Sequence, residues 1–164
     1  WLKEAFDSLG MDFSTRASRT EEYIMVMRAL WSEGISEFSG KTVELAPCHF
    51  NPKPVQKPYP PIIFGGESDP ALRRVARIGD GWYGYDLTPE ALVERLPGLD
   101  AALAASGRSR RDIQLIVGPN RHPVNPETIA AYAAAGTDQL VVPVFAGSLE
   151  KLASRLDLLM SSTS

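Results

Sequence analysis

The sequence predicts an α/β protein that forms half of an eight-stranded barrel of alternating strands and helices. Short apolar runs alternate with amphipathic runs four times from residue 61 onward, and three of the amphipathic runs begin with a cap residue next to a proline. Short connections in a strand–helix–strand order require parallel strands and right-handed crossovers. Four such units are too few for a closed barrel or an ordinary doubly wound sheet, so half a barrel is the better description.

Composition limits the classes of function. With 164 residues, 44% of them hydrophobic and 23% charged, the chain fits a single globular domain spanning 1–164. A net charge of −3 argues against partners such as nucleic acid or an anionic membrane. The single cysteine, Cys48, allows neither an intrachain disulfide nor a multi-cysteine metal site, so we expect no metal and a cytoplasmic location. Because the sequence opens on Trp1 rather than methionine, we also expect either a processed N-terminus or a portion of a larger protein.

The region before the four units contains one helix and one irregular segment. Apolar residues recur at helical spacing in "SRTEEYIMVMRALWSEG", where Ser18 and Glu21 have capping-box spacing and Gly34 supplies a stop. Residues 35–60 are rich in proline and form an excursion from the barrel pattern. We expect a small hairpin there, around "FSGKTVEL".

The four strand–helix units follow in order. The predicted strands are 61–65, 81–85, 113–118 and 138–145. The first three helices that follow them are predicted to begin at Asp69-Pro70, Thr88-Pro89 and Asn125-Pro126, each with its first residue as the N-cap, and the fourth follows Ser148. The second helix has Leu92, Val93, Leu96, Leu99 and Leu103 on one face. Pro97 lies inside that helix and should kink it.

A glycine pair ends the first of these strands, in "IIFGGES". Ligands of parallel α/β proteins bind at the carboxyl ends of strands, where Gly65 and Gly66 stand just before a helix. Residues without a side chain allow close approach and φ > 0, and the first turn of a helix presents N–H groups to an anion such as phosphate. Ser68 adds a hydroxyl donor. The alternative is a tight turn in which the glycines serve packing alone.

The residues around this pair form a longer pattern. Residues 52–84 read "PKPVQKPYPPIIFGGESDPALRRVARIGDGWYG", and further matches lie upstream at Trp1, Glu4, Phe6, Leu9, Gly10, Arg16, Arg19, Glu22, Leu30, Trp31, Phe38 and Gly40. In order, spacing and residue type this pattern resembles the luciferase-like monooxygenase family, particularly its deazaflavin-dependent branch. The resemblance is dense over residues 1–85 and fades beyond about residue 110.

The resemblance implies a (β/α)8 TIM barrel of which this chain supplies helix 4 through strand and helix 8. It implies binding of coenzyme F420, a deazaflavin, with FMN as the alternative. The cofactor's phosphate is expected at Gly65, Gly66 and Ser68, with Tyr85 and Thr88 in the neighbouring position. In the family the first four strand units supply most contacts to the flavin ring and, in the deazaflavin branch, an acid–base histidine. The catalytic residues of this chain are therefore unknown, and the isolated chain is expected to be inactive.

The function implied is hydride transfer between the cofactor and a small organic substrate, or oxygenation with reduced flavin. The exposed edges of a half barrel favour a homodimer or larger oligomer.

Two alternatives remain open. One is a non-catalytic half-barrel oligomer that binds a phosphate-bearing ligand or none. The other is a phosphate-handling isomerase or aldolase, which the lack of a lysine or carboxylate pair at a strand end disfavours.

Three polar residues have competing interpretations. His122 follows the third strand of the four units, on the ligand face, and is either a substrate contact or a plain loop histidine. His49 next to Cys48 lacks further metal ligands. Asp80, between two glycines, is expected to brace the turn into the next strand rather than act in catalysis.

Overall fold

The computed structural model describes residues 2–161, and the chain divides into two compact units at the Pro60–Pro61 boundary. Each unit is described by itself below. The expectation of one domain over 1–164, with 35–60 as an excursion inside it, stays a prediction.

The first unit begins with two helices, α1 (Lys3–Ser8) and α2 (Arg16–Trp31). A 3-10 turn precedes α2, and Asp12 caps that turn by accepting a hydrogen bond from the Ser14 N–H at 2.8 Å. The predicted capping box of Ser18 and Glu21 is wrong. Because the helix already begins at Arg16, Ser18 lies inside it and its hydroxyl donates to the Thr15 carbonyl at 3.0 Å.

The hairpin expected in the proline-rich segment is confirmed. Strands β1 (Ser36–Ser39) and β2 (Glu44–Cys48) pair antiparallel. Their turn is tied to α2 by Glu22, whose carboxylate accepts the backbone N–H groups of Lys41, Thr42 and Val43 at 2.8–3.0 Å. Glu22 also accepts the Thr42 hydroxyl at 2.7 Å. These hydrogen bonds, that from the Thr42 hydroxyl above all, lower the pKa of Glu22 to about 2.

Acid should therefore loosen this turn. The pKa of Glu22 lies below its ordinary value of 4.5, so its contribution to stability is complete above that pH and is lost as the pH falls through about 2. We expect hydrogen-exchange protection of the three turn amides, corrected for intrinsic rates, to fall over that range. In Glu22→Gln the protection should be low throughout and independent of pH. The control Glu44→Gln, at an exposed position of β2, should behave as wild type; equal acid sensitivity in the Glu22→Gln protein would contradict the assignment.

The second unit is built on a four-stranded sheet. Its strands are β3 (Ile63–Gly65), β4 (Gly81–Tyr85), β5 (Gln114–Gly118) and β6 (Gln139–Leu140). They lie in the order β3-β4-β5-β6 and every neighbouring pair is parallel, which confirms the prediction. Strand β6 is shorter than the predicted 138–145. Its last ladder contact is the Val141 N–H on the Val117 carbonyl at 2.9 Å, and Pro143 beyond it has no N–H to donate.

A helix follows each strand, as predicted. The helices are α3 (Asp69–Ile78), α4 (Pro89–Ala105), α5 (Pro126–Ala134) and α6 (Leu149–Ser161). Thr88 and Asn125 are N-caps, as their prolines indicate. The prediction of Asp69 as the cap of α3 is wrong, because the extended residue is Ser68 and its hydroxyl oxygen accepts the Ala71 N–H at 3.4 Å.

The core of this unit lies between the sheet and its helices. Phe64, Trp82 and Leu115 stand side by side in the strand register and are buried, as is Val75 of α3. Leu92, Leu99 and Leu103 of α4 are buried as predicted. Val93, predicted on the same face, is 53% exposed, because its position on the helix turns it away from the sheet.

Two aspartates fix the amino ends of the strands. The Asp80 N–H donates to the Ile62 carbonyl at 2.8 Å, and the Asp80 carboxylate accepts the Ile62 N–H at 2.8 Å. Asp138 repeats this pair of bonds with Leu115, at 2.8 and 2.7 Å. Asp80 is therefore a structural brace, in agreement with its interpretation from the sequence. It lies at the end of the sheet opposite the Gly65–Gly66 turn.

Candidate cofactor site at the carboxyl ends of the strands

The two glycines after β3 differ in what the fold requires of them. Gly66 has φ +100°, and an added Cβ would lie 3.1 Å from the Cβ of Ala71, so the turn itself needs glycine there. Gly65 is not in the left-handed region. A Cβ added there would lie 3.9 Å from its nearest neighbour, the Tyr83 carbonyl oxygen. Open space therefore lies in front of Gly65, and packing does not account for the missing side chain.

Strand β4 holds this turn at two points. The indole Nε1–H of Trp82 donates to the Gly66 carbonyl at 3.0 Å. The Tyr85 N–H donates to the carboxylate of Glu67 at 2.9 Å. The sequence did not indicate a role for Glu67 or for the indole nitrogen. Together these bonds fix the turn relative to the end of the neighbouring strand.

The amino end of α3 adjoins the turn. As the N-cap, Ser68 uses a lone pair of its hydroxyl oxygen, which leaves the O–H group able to donate to a ligand. Asp69, in the first helical turn, pairs with Arg95 of α4 at 2.7 Å. The hydrogen bond from Arg95, followed by its positive charge, lowers the pKa of the Asp69 carboxyl. Asp69 is therefore a paired carboxylate beside the helix end.

The predicted site residues lie close to one another at this edge of the sheet. Gly65 and Gly66 follow β3, Ser68 caps α3, Tyr85 ends β4 and Thr88 caps α4. Tyr85 is 60% exposed, and side-chain alternation places it on the same face of the sheet as Gly65. The Thr88 hydroxyl accepts the Ala91 N–H at 3.2 Å, so its oxygen has a structural task in α4. Contact of these five residues with a cofactor stays a prediction.

A second polar cluster, which we call the Asp86 cluster, consists of Asp86, Arg121 and His122. The Asp86 carboxylate accepts the Arg121 N–H at 3.2 Å and its Nε–H at 2.8 Å, and it also pairs with Nη2. These hydrogen bonds lower the pKa of Asp86. Of this cluster, sequence reasoning singled out His122 alone, because residues 35 positions apart in the chain form it.

Neither a metal cluster nor a membrane span is found in the part of the chain that the structure describes. Within residues 2–161, no group of three or more His, Cys, Asp or Glu side chains is arranged to hold a metal ion. No helix in the same range is long and apolar enough to cross a membrane.

Comparison with known proteins identifies the family. The family model described as luciferase-like monooxygenase matches residues 1–135. The chain belongs to the luciferase-like monooxygenase family. Its resemblance to that family, inferred from the motif around the glycine pair, is thereby confirmed.

Curated relatives in the luciferase-like family are longer than this chain. The chain is 27% identical over 112 residues to an FMNH2-dependent dimethylsulfone monooxygenase of Pseudomonas putida, covering 66% of this chain and 31% of that protein. It is 31% identical over 85 residues to pyrimidine monooxygenase RutA of Allorhizobium ampelinum, covering 49% of this chain and 23% of that protein. The matched part of the chain thus spans about a quarter to a third of these relatives' length.

Solved structures confirm the fold class. Monooxygenase RslO1 from Streptomyces bottropensis matches with a TM-score of 0.77 at 15% identity, covering 99% of this chain and 65% of that one. The coenzyme F420-dependent tetrahydromethanopterin reductase from Methanopyrus kandleri matches with a TM-score of 0.72 at 14% identity, covering 99% and 70%. The chain is therefore a partial barrel of the luciferase-like type.

Proposed function

We propose that this chain supplies the phosphate-binding part of a flavin- or deazaflavin-dependent oxidoreductase that acts on a small organic substrate. The observation that carries the proposal is the open space in front of Gly65. Its backbone is not left-handed and its missing side chain faces open space, so a ligand that approaches the backbone explains the glycine better than packing does.

The residues around Gly65 fit a phosphate group. The amino end of α3 carries a partial positive charge, and the Ser68 hydroxyl can donate there. The Asp69 carboxylate would repel an anion, but Arg95 at 2.7 Å balances its charge. Tyr85 is exposed on the same face, which supports the proposal that it flanks the rest of the cofactor. When bound, such a cofactor supplies the redox chemistry, while these residues bind and orient it.

FMN is the first cofactor to test. A relative at 27% identity is named for FMNH2, whereas the F420-dependent reductase resembles this chain at 14% identity, which speaks for the fold alone. Coenzyme F420, which the sequence pattern of residues 52–84 favours, is the second cofactor to test. Both carry the phosphate that the Gly65 turn is proposed to hold, so the proposal concerns their shared group.

The variant Gly65→Ala tests the phosphate site. Since an added Cβ meets nothing closer than 3.9 Å, we expect the free energy of unfolding to change by less than about 0.5 kcal/mol. FMN affinity, measured by flavin fluorescence quenching, should fall at least about tenfold, the equivalent of about 1.4 kcal/mol. Riboflavin, which lacks the phosphate, should bind both proteins alike.

Gly98→Ala provides the matched control. Gly98 lies in α4, is likewise outside the left-handed region, and has 3.7 Å of clearance for a Cβ, so FMN affinity should stay at the wild-type level. Unchanged FMN affinity in Gly65→Ala, or equal wild-type affinity for FMN and riboflavin, would remove the phosphate proposal. The non-catalytic half-barrel would then be the better description.

A further inference from the structure

The face of the sheet that carries Gly65 also carries a tyrosine beside it. Tyr83 is the register partner of Gly65 across the β3–β4 ladder. Side-chain alternation along β4 places Tyr83 and Tyr85 on this face and the buried Trp82 on the other, against the helices. Tyr83 is half-buried. Its ring therefore borders the open space in front of Gly65.

The phenol of Tyr83 extends from β4 across β5 to Gly118. A Cβ added at Gly118 would overlap the Tyr83 hydroxyl oxygen and would lie 2.8 Å from the ring carbon Cζ. Gly118 is not in the left-handed region, so the close approach of the phenol accounts for this glycine. In the ladder Tyr83 lies opposite Ile116, two residues before Gly118. The ring therefore leans toward the carboxyl ends of the strands, where ligands of parallel α/β proteins bind.

The Tyr83 hydroxyl has no hydrogen-bond partner within residues 2–161. Tyr132 differs, because its hydroxyl donates to the Leu87 carbonyl at 2.6 Å. The Tyr83 oxygen is not among the enclosed polar atoms, so a ligand can reach it. Packing against Gly118 would be served equally well by a phenylalanine, whereas a tyrosine hydroxyl partly removed from water usually has a partner. A ligand that hydrogen-bonds the hydroxyl explains the tyrosine better than packing does.

The spacing of the strands indicates which part of a ligand Tyr83 meets. Gly65 and Gly118 lie on strands separated by β4, and two strand spacings amount to roughly 10 Å. A phosphate bound at Gly65 therefore does not reach the phenol beside Gly118. A cofactor long enough to contact both must present another of its groups to Tyr83.

We propose that the Tyr83 hydroxyl forms a hydrogen bond with the riboflavin part of bound FMN, the part beyond the phosphate, and that Gly118 positions the phenol for this contact. The inference rests on the proposed function, because it adds a second contact to the same cofactor. Riboflavin lacks the phosphate but keeps the group assigned to Tyr83, so each contact can fail separately.

Titration of FMN and of riboflavin, followed by flavin fluorescence quenching, tests the contact. Tyr83→Phe removes the hydroxyl alone, and the affinity for both flavins should fall by the same factor, roughly three- to tenfold, as for one hydrogen bond. The midpoint of urea denaturation should stay at the wild-type value, since no described protein group loses a partner. Tyr23→Phe makes the same chemical change on α2, in the first unit, and should leave both affinities unchanged.

A double-mutant cycle tests the role of Gly118. Gly118→Ala should displace the phenol and weaken riboflavin binding when Tyr83 is present. In the Tyr83→Phe protein there is no hydroxyl to displace, so the same substitution should have little further effect. An equal loss of affinity in both backgrounds would mean that Gly118 acts on the site by another route, and its positioning role would be rejected.

The outcomes separate this inference from the phosphate proposal. Wild-type affinity of Tyr83→Phe for riboflavin, or a loss for FMN alone, overturns the inference, while a selective loss of FMN affinity in Gly65→Ala would still support the phosphate site. An equal loss for both flavins in Tyr83→Phe, with unchanged FMN affinity in Gly65→Ala, supports the Tyr83 contact and rejects the phosphate site. A wild type that binds neither flavin rejects both.

Discussion

Replacing Trp82 by alanine should lower the free energy of unfolding by about 3–5 kcal/mol. The side chain is fully buried, in register with Phe64 and Leu115 beneath the helices of the second unit. Its removal leaves a large cavity and also an unpaired Gly66 carbonyl, since the indole N–H no longer donates to it. Urea denaturation followed by far-ultraviolet circular dichroism measures the loss without relying on tryptophan fluorescence.

Trp82→Phe separates the two causes. Phenylalanine keeps most of the buried apolar surface but has no donor for Gly66, so we expect a smaller loss of stability, with about 1 kcal/mol from the hydrogen bond. FMN affinity should fall, because the turn after β3 loses one of its two ties to β4. A Trp82→Ala protein within about 1 kcal/mol of wild type would show that the packing around this residue is not as described.

Replacing Gly66 by alanine should weaken FMN binding roughly 10- to 100-fold, because alanine at φ +100° is strained by on the order of 1–3 kcal/mol. The added Cβ would also press on Ala71 at 3.1 Å. The turn must move to relieve the strain, and the backbone that faces the phosphate moves with it. Fluorescence titration gives the affinity, and urea denaturation gives the accompanying loss of stability.

Gly107→Ala is the matched control for Gly66→Ala. Gly107 has φ +68° and no atom within 4 Å of an added Cβ, so its replacement brings similar backbone strain without a clash. It lies just after α4, away from the carboxyl ends of the strands. We expect a loss of stability with unchanged FMN affinity. Equal loss of affinity in both variants would mean that general destabilisation explains the Gly66 result.

Local signals made the element order predictable from sequence. The cap residues Thr88 and Asn125 each precede a proline, and both caps formed because a side-chain acceptor and a preset φ act within a single turn. Apolar runs of strand length gave β3, β4 and β5 for the same local reason. The hairpin of the first unit followed from its turn residues.

Other features depended on contacts between distant residues. Ser68 rather than Asp69 caps α3, while Asp69 pairs with Arg95, 26 positions away. The sequence contains both candidate caps and does not reveal which one has the partner. Strand β6 ends early because pairing stops after Val141, which the apolar run alone does not show.

The candidate site was predictable in part. Glycines before a helix indicate a ligand turn, but their different requirements appeared only with the backbone angles of Gly65 and Gly66 and their surroundings. The Asp86 cluster joins the ends of two strands, and its central contact, Asp86 to Arg121, spans 35 positions. Asp86 and Arg121 lie in loops, where no hydrophobic periodicity predicts which residues come into contact.

Hydrogen bonds to two aspartates set the strand register at the amino ends of the sheet. Asp80 and Asp138 each form two hydrogen bonds with a residue of the preceding strand unit. These bonds fix the register of β4 relative to β3 and of β6 relative to β5. A shift of one residue between the two strands of either pair would break both bonds and turn every side chain of the shifted strand to the other face of the sheet. These bonds set the register of the strands from their amino ends, so the register need not depend on the loops at the carboxyl ends.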